Sequence, residues 1–178
     1  MYCWQKRTEA MTEKNAPEIE RKFLIAYPDI EYLAENAEHS HIVQTYLDSE
    51  QGISSRVRKR IYKEKTVYIY TEKRHITAMR RMEYERETDE KEYFELLERA
   101  DKSRNPVEKD RYCLDYDGQM FEIDVYPFFT DRAIMELELE EEGQEIRFPP
   151  EIKVIREVTE DKRYTNASFA RKIPYDAI

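Results

Sequence analysis

The stretch Glu18-Ile19-Glu20-Arg21-Lys22-Phe23 sets Glu18, Glu20 and Lys22 on one parity, with Ile19 and Phe23 on the other. Successive side chains of a strand point to opposite faces, so this pattern predicts a strand with one ionic face and one that packs. The same period of two recurs along the chain: His41-Ile42-Val43-Gln44-Thr45-Tyr46-Leu47, Arg56-Val57-Arg58, Val67-Tyr68-Ile69-Tyr70-Thr71-Glu72-Lys73 and Arg81-Met82-Glu83-Tyr84-Glu85. Further on come Lys109-Asp110-Arg111-Tyr112, Phe121-Glu122-Ile123-Asp124-Val125 and Met135-Glu136-Leu137-Glu138-Leu139-Glu140. Period-two runs of this kind argue for strands.

Helical spacing is confined to three segments. Pro28 to Glu38 carries Ile30, Leu33, Ala34 and Ala37 on one face; Asp89 to Lys102 carries Tyr93, Leu96, Leu97 and Ala100 behind a capping Asp89. Thr159 to Lys172 brings Ala167, Phe169 and Ala170 onto the domain after Pro149-Pro150. Residues 1–16 are polar and unpatterned and read as an extension; residues 17–178 read as one α+β domain of mainly antiparallel strands.

The polar faces are almost wholly ionic, and their sign changes from strand to strand. Arg56, Arg58 and Arg60 share a face, as do Thr71 and Lys73, Glu83 and Glu85, Lys109 and Arg111, Glu122 and Asp124, and Glu136, Glu138 and Glu140. An ordinary antiparallel sheet with a solvated charged face explains this spacing equally well. Like charges repeated within one strand do not favour that reading, because a surface built only for solubility intersperses signs. The alternative is a sheet curled so that the ionic faces meet in a polar lumen, the scale of a barrel of about eight strands. Guanidinium and ammonium groups suit phosphate oxygens, and carboxylates are hard oxygen ligands for Mg²⁺ or Mn²⁺. A lumen carrying both suits a polyanion that arrives with divalent cations.

Composition narrows the field. The 178 residues hold 30 Lys+Arg against 39 Asp+Glu, a net charge of −9 that speaks against a partner such as duplex nucleic acid. Three glycines leave no phosphate loop of the GxxxxGK[ST] type, and neither CxxC nor HExxH occurs. Two cysteines make no disulfide framework, and no apolar run approaches the roughly 20 residues of a membrane span. The first residues have no hydrophobic signal core, so a cytoplasmic location without membrane partners is the expectation. His39, His41 and His75 form no triad with Ser or Cys and read as surface residues.

In order along the chain, Glu18-Ile19-Glu20-Arg21-Lys22, Gln44-Thr45-Tyr46-Leu47, Arg56-Val57-Arg58, Thr71-Glu72-Lys73, Arg81-Met82-Glu83-Tyr84-Glu85, Lys109-Asp110-Arg111-Tyr112, Phe121-Glu122-Ile123-Asp124-Val125, Glu136-Leu137-Glu138 and the segment from Arg156 to Asn166 resemble the motifs of the CYTH superfamily, the triphosphate tunnel metalloenzymes. The resemblance runs from Pro17 to about Pro174. It implies a closed eight-stranded antiparallel β-barrel, a triphosphate tunnel with a charged interior and helices packed outside. It also implies hydrolysis of inorganic tripolyphosphate and nucleoside triphosphates with Mg²⁺ or Mn²⁺, two ions in all, on a small-molecule triphosphate substrate. Other branches are class IV adenylate cyclases and thiamine triphosphatases; a polyphosphate- or nucleotide-binding module is the reading without catalysis.

Carried over residue by residue, the resemblance makes Glu18, Glu20, Asp124, Glu136 and Glu138 the metal ligands. Lys22, Arg56, Arg58, Lys73, Lys109 and Arg111 cradle the phosphates, with Arg163 at the tunnel mouth. Glu83, Glu85 and Glu122 are the supporting acids. Lys22, Tyr46, Glu20 and Glu138 form the catalytic set; by its own chemistry the Tyr46 phenol is either poised by a nearby Lys22 to help activate water or held in a structural hydrogen bond. Arg60, Glu87 and Glu140 read as solvated strand ends. Two departures from the family pattern stand out: no glycine precedes the fourth strand, and Glu72 needs a partner or solvent.

Overall fold

The computed structural model describes residues 19–75, 81–141 and 143–177. Nine antiparallel strands form one sheet: β1 (Ile19–Ala26), β2 (Glu38–Leu47), β3 (Ile53–Tyr62), β4 (Lys65–His75), β5 (Arg81–Thr88), β6 (Val107–Tyr116), β7 (Gln119–Val125), β8 (Arg132–Leu139) and β9 (Val154–Glu157). Their order is β5-β4-β3-β2-β6-β7-β8-β1-β9. The expectation of a closed eight-stranded barrel is corrected here: the sheet has nine strands, β1 pairs with β8 along its length and with β9 at Phe23–Ile25, and among the described residues the ladder stays open between β5 and β9. The ninth strand follows Pro149-Pro150, in a stretch too short to show alternation.

The outer face holds two apolar clusters. Phe23 and Ile25 of β1 pack with Phe121, Ile123, Met135 and Leu137 under Leu33 of α1 (Ile30–Asn36). Leu47 and Val57 pack under Tyr93 of α2 (Glu90–Leu97). Burying each such side chain contributes about 1.5–3 kcal/mol, which fixes the register against a one-residue slip. Both helices start at an aspartate. Asp29 accepts from the backbone N–H of Glu31 and Tyr32, at 3.0 and 3.1 Å, and Asp89 accepts from that of Glu92 at 2.7 Å.

The C-terminal helix expected over Thr159 to Lys172 is broken in two: a 3-10 turn at Lys162–Tyr164 and α3 at Asn166–Phe169. Asp161 caps the first and Thr165 the second, and Thr165 sits in extended backbone that interrupts the helix. This segment packs Val158, Tyr164, Phe169 and Ala170 with Leu24, Tyr46, Tyr126, Phe129 and Ile134 in one buried apolar cluster. The β3–β4 turn works without glycine because Lys63 adopts φ 51°. Glu72 finds its partners in Arg74 Nε at 2.6 Å and the Tyr70 hydroxyl at 2.8 Å. Among the described residues no helix is long and apolar enough to cross a membrane.

Candidate active site

Strand parity and register bring the ionic residues to one face. Glu20 stands opposite Glu138, Lys22 opposite Glu136, Glu122 opposite Glu136, and Arg111 opposite Asp124. On the other half of the sheet Tyr46 stands opposite Arg56, Gln44 opposite Arg58, Arg56 opposite Thr71, and Thr71 opposite Glu85. Lys109 and Arg111 on β6 link the two halves through Ile42 and Ser40 of β2. Two carboxylates directly opposite one another are unfavourable, so each such pair calls for a cation.

Three basic side chains answer that demand. Arg111 grips Asp124 in a fork, Nε to Oδ1 and Nη2 to Oδ2, both at 2.6 Å. It also reaches Glu136 at 3.0 Å and donates to Glu122. Lys109 donates to Asp124 Oδ2, the oxygen that also accepts from Arg111 Nη2, and Lys22 lies 2.8 Å from Glu136 and 3.6 Å from Glu20. Asp124 is fully buried, with Lys109 and Arg111 nearly so. Burial opposes the ionised carboxyl of Asp124, but Arg111 and Lys109 outweigh it and hold its pKa well below the usual carboxylate range. Lys109 is pushed down to about 8, first by burial and then by Arg111, against the pull of Asp124. For Lys22 burial also works against the charge, yet Glu136 and Glu20 prevail and its pKa is raised.

Across the face, Arg58 donates to Glu85 and to Thr71 Oγ1 at 3.3 Å, and Thr71 in turn donates to Glu85 at 3.0 Å. The Tyr46 hydroxyl accepts from Gln44 Nε2 at 2.9 Å, and the Arg104 guanidinium lies 4.9 Å from the Tyr46 ring centroid. Sequence reasoning put Lys22 beside Tyr46; the structure gives Lys22 to Glu136 and Tyr46 to Gln44. Gln44 carried a signal, two residues from Tyr46 on one face, whereas Arg104 sits in a loop that no period marks.

Of the proposed residues, Lys22, Arg56, Arg58, Lys73, Lys109, Arg111, Glu20, Glu122, Asp124, Glu136, Glu138 and Glu85 all take inner-face register positions. Glu18 lies outside the described residues, as does the expected extension at 1–16, and of Glu83 only the register opposite Lys73 is described. Arg163 is not brought to this face. It is exposed, 2.7 Å from Asp161 and 3.5 Å from Asp176. His39 and His41 stand on the outer face around Asp110, at 2.7 and 3.2 Å.

For a metal ion, the donor chemistry fits at one place. Glu20 and Glu138 are opposed, solvent-exposed carboxylates at the rim, of the hard-oxygen type that a divalent cation takes. Glu122, Asp124 and Glu136 are gripped by Arg111, Lys109 or Lys22 at closer range than the 3.6 Å from Lys22 to Glu20, and no three metal-ligating groups surround one point among the described residues.

A family model for the CYTH domain matches residues 16–173. The chain belongs to the CYTH family. A relative, the inorganic triphosphatase of Nitrosomonas europaea, is 37% identical over 160 residues, covering 88% of this chain and 99% of its own. A crystal structure of the inorganic triphosphatase NE1496 superposes with a TM-score of 0.60 at 35% identity, covering 90% of this chain and 98% of that one. A second crystal structure of NE1496 gives 0.59 at 35% identity over 89% and 100%. Membership of the CYTH family agrees with the ordered motifs read from the sequence and with the antiparallel sheet that carries them.

Proposed function

We propose that this protein is a divalent-metal-dependent triphosphatase that cleaves the terminal phosphoanhydride of inorganic tripolyphosphate, and of nucleoside triphosphates. The observation that carries the reading is the single register placing Lys22, Arg56, Arg58, Lys73, Lys109 and Arg111 on one face, with the Glu20–Glu138 pair at its rim. The relative named as an inorganic triphosphatase, alike over nearly its whole length, supports the same substrate class.

In this reading Arg56, Arg58 and Lys73 bind the phosphate chain from β3 and β4, and Lys109 and Arg111 bind it from β6. Their donors are held in place before substrate arrives, so charge building on the transferring phosphoryl group meets fixed dipoles in a partly dry site. Tyr46 accepts from Gln44 and so keeps its own O–H proton for a phosphate oxygen or the attacking water. Lys22 neutralises Glu136 and lies close enough to Glu20 to offset its charge. Glu20 and Glu138, with Glu18, would hold the divalent cation, which when bound neutralises the chain and lowers the pKa of a coordinated water. A second ion would need Asp124 or Glu136 to release its basic partner.

Phosphate release from tripolyphosphate and from ATP, with Mg²⁺ or Mn²⁺ and with EDTA, tests the proposal when products are separated by chromatography. Metal-dependent release leaving pyrophosphate is the expected result. Pyrophosphate plus a cyclic nucleotide from ATP would make the protein a cyclase, and tight metal-dependent binding without turnover would make it a binding module.

A further inference from the structure

We propose that Arg104 is a positioning residue for Tyr46, its guanidinium strengthening the phenol as a hydrogen-bond donor to the charge that builds during phosphoryl transfer; this rests on the function proposed above. Arg104 belongs to no strand: it lies in the loop between α2 and β6, apart from the cations of the inner face. Its guanidinium carbon stands 4.9 Å from the centroid of the Tyr46 ring, within the range of a cation–π contact.

The loop is built around that tyrosine. Asp101 donates its backbone N–H to the Tyr46 carbonyl at 3.0 Å, and Asp48 donates its own to the Arg99 carbonyl at 2.8 Å, so the loop is tied to the end of β2 at two points. Ser103 fixes the Asp101 carboxylate, donating to Oδ1 from its N–H at 2.9 Å and from its Oγ at 2.6 Å. The second oxygen, Oδ2, lies 2.9 Å from Arg104 Nε, the stem-side nitrogen, and 3.9 Å from Arg171. The guanidinium is thereby held over the ring before any ligand arrives. Tyr46 is 4% exposed and the Arg104 side chain 23%, so water screens the contact poorly, and a desolvated cation–π contact is stronger than a surface one.

The use of the hydroxyl decides what that cation does. The Tyr46 oxygen accepts from Gln44 Nε2 at 2.9 Å, which leaves its one proton to donate. As negative charge gathers on the oxygen that receives this bond, the O–H proton is drawn outward and electron density on the phenol rises. The cation on the ring is then held more tightly than in the ground state, and only such a difference speeds the chemical step. The contribution of Arg104 therefore falls on kcat and not on KM.

The experiment measures kcat and KM of the full chain on tripolyphosphate with Mn²⁺, for the wild type, Arg104→Gln, Arg104→Lys, Tyr46→Phe and the double variant of Arg104→Gln with Tyr46→Phe, each checked by its unfolding midpoint. Arg104→Gln should lower kcat by about 3–30-fold and leave KM within about twofold. Arg104→Lys, which keeps a cation near the ring, should recover much of that loss. In the Tyr46→Phe background the ring remains but the proton is gone, so Arg104→Gln should cost less than about twofold there. Equal losses in the two backgrounds overturn the proposal, since packing alone would give them. So does a loss carried by KM alone, which would make Arg104 a ligand of the substrate, and so does a Tyr46→Phe enzyme as fast as the wild type. A wild type that turns over no tripolyphosphate defeats the function proposed above and this proposal with it, whereas an active wild type matched by Arg104→Gln defeats this proposal alone.

Discussion

Arg111 and Asp124 face each other across the β6–β7 ladder, joined by two hydrogen bonds of 2.6 Å, with Asp124 wholly buried. Lys109 also donates to that carboxylate, at the Oδ2 that Arg111 Nη2 reaches. Asp124 is therefore the counter-ion that lets two basic groups sit at the bottom of the site. Removing one member of a buried pair leaves uncompensated charge, at a cost of about 3–5 kcal/mol. Asp124→Asn should lower stability by that amount in urea unfolding, while Glu20→Gln at the exposed rim should change it by less than about 1 kcal/mol. Equal stability of Asp124→Asn and wild type would remove Asp124 from this role.

Lys109 gives the alkaline limb. Its folded pKa of about 8 lies below the ordinary 10.5, so between those values the unfolded chain binds more protons. Its contribution to stability therefore rises with pH across that window. Its value as a phosphate ligand moves the other way, because the charge is lost. KM for tripolyphosphate should rise as pH passes about 8 while unfolding free energy does not fall with it, and Lys109→Arg should abolish the inflection. A KM profile shared by wild type and Lys109→Arg would refute the assignment.

Glu157 governs an acid limb at the sheet edge. Arg21 and Thr159 hold its pKa down to about 2, through bonds of 2.5–2.9 Å that tie β9 to β1. A depressed carboxylate stabilises fully above its ordinary pKa near 4.5 and loses that contribution as pH falls toward 2. Because the pair is well exposed, the effect is small, about 1 kcal/mol at most. Acid titration of stability in Glu157→Gln should be flatter between pH 5 and pH 2 than in the wild type, by roughly that margin; a parallel curve would count against it.

Arg58 tests the cradle itself. Loss of one preorganised donor to a developing charge costs about 10²–10³ in rate. Arg58→Ala should lower kcat on tripolyphosphate by that factor with a native circular dichroism spectrum. A fall confined to KM would make Arg58 a ground-state ligand only.

The strands and their ionic faces were legible because a two-residue period survives any tertiary context, and Glu20, Lys22, Arg111 and Asp124 each took the face their parity required. The ninth strand at the edge of β1 was not legible, since its four residues, Val154–Glu157, are too short to carry a period. The C-terminal helix was misjudged because Phe169 and Ala170 give apolar spacing, whereas Asp161 and Thr165 each start a separate turn. Pairing within the site was legible only in part. Which carboxylate takes which cation depends on side-chain reach across the inner face, so Arg111 bridging Asp124, Glu122 and Glu136 was invisible, as were Arg104 on the Tyr46 ring and the solvent-facing Arg163.

The most direct test of the account sets wild type beside Glu20→Gln and measures phosphate release from tripolyphosphate with Mn²⁺ and with EDTA. The wild type should release phosphate fast with Mn²⁺ and stop with EDTA, leaving pyrophosphate, while Glu20→Gln should be inactive though folded. Undiminished turnover by Glu20→Gln, or release that ignores EDTA, would contradict it.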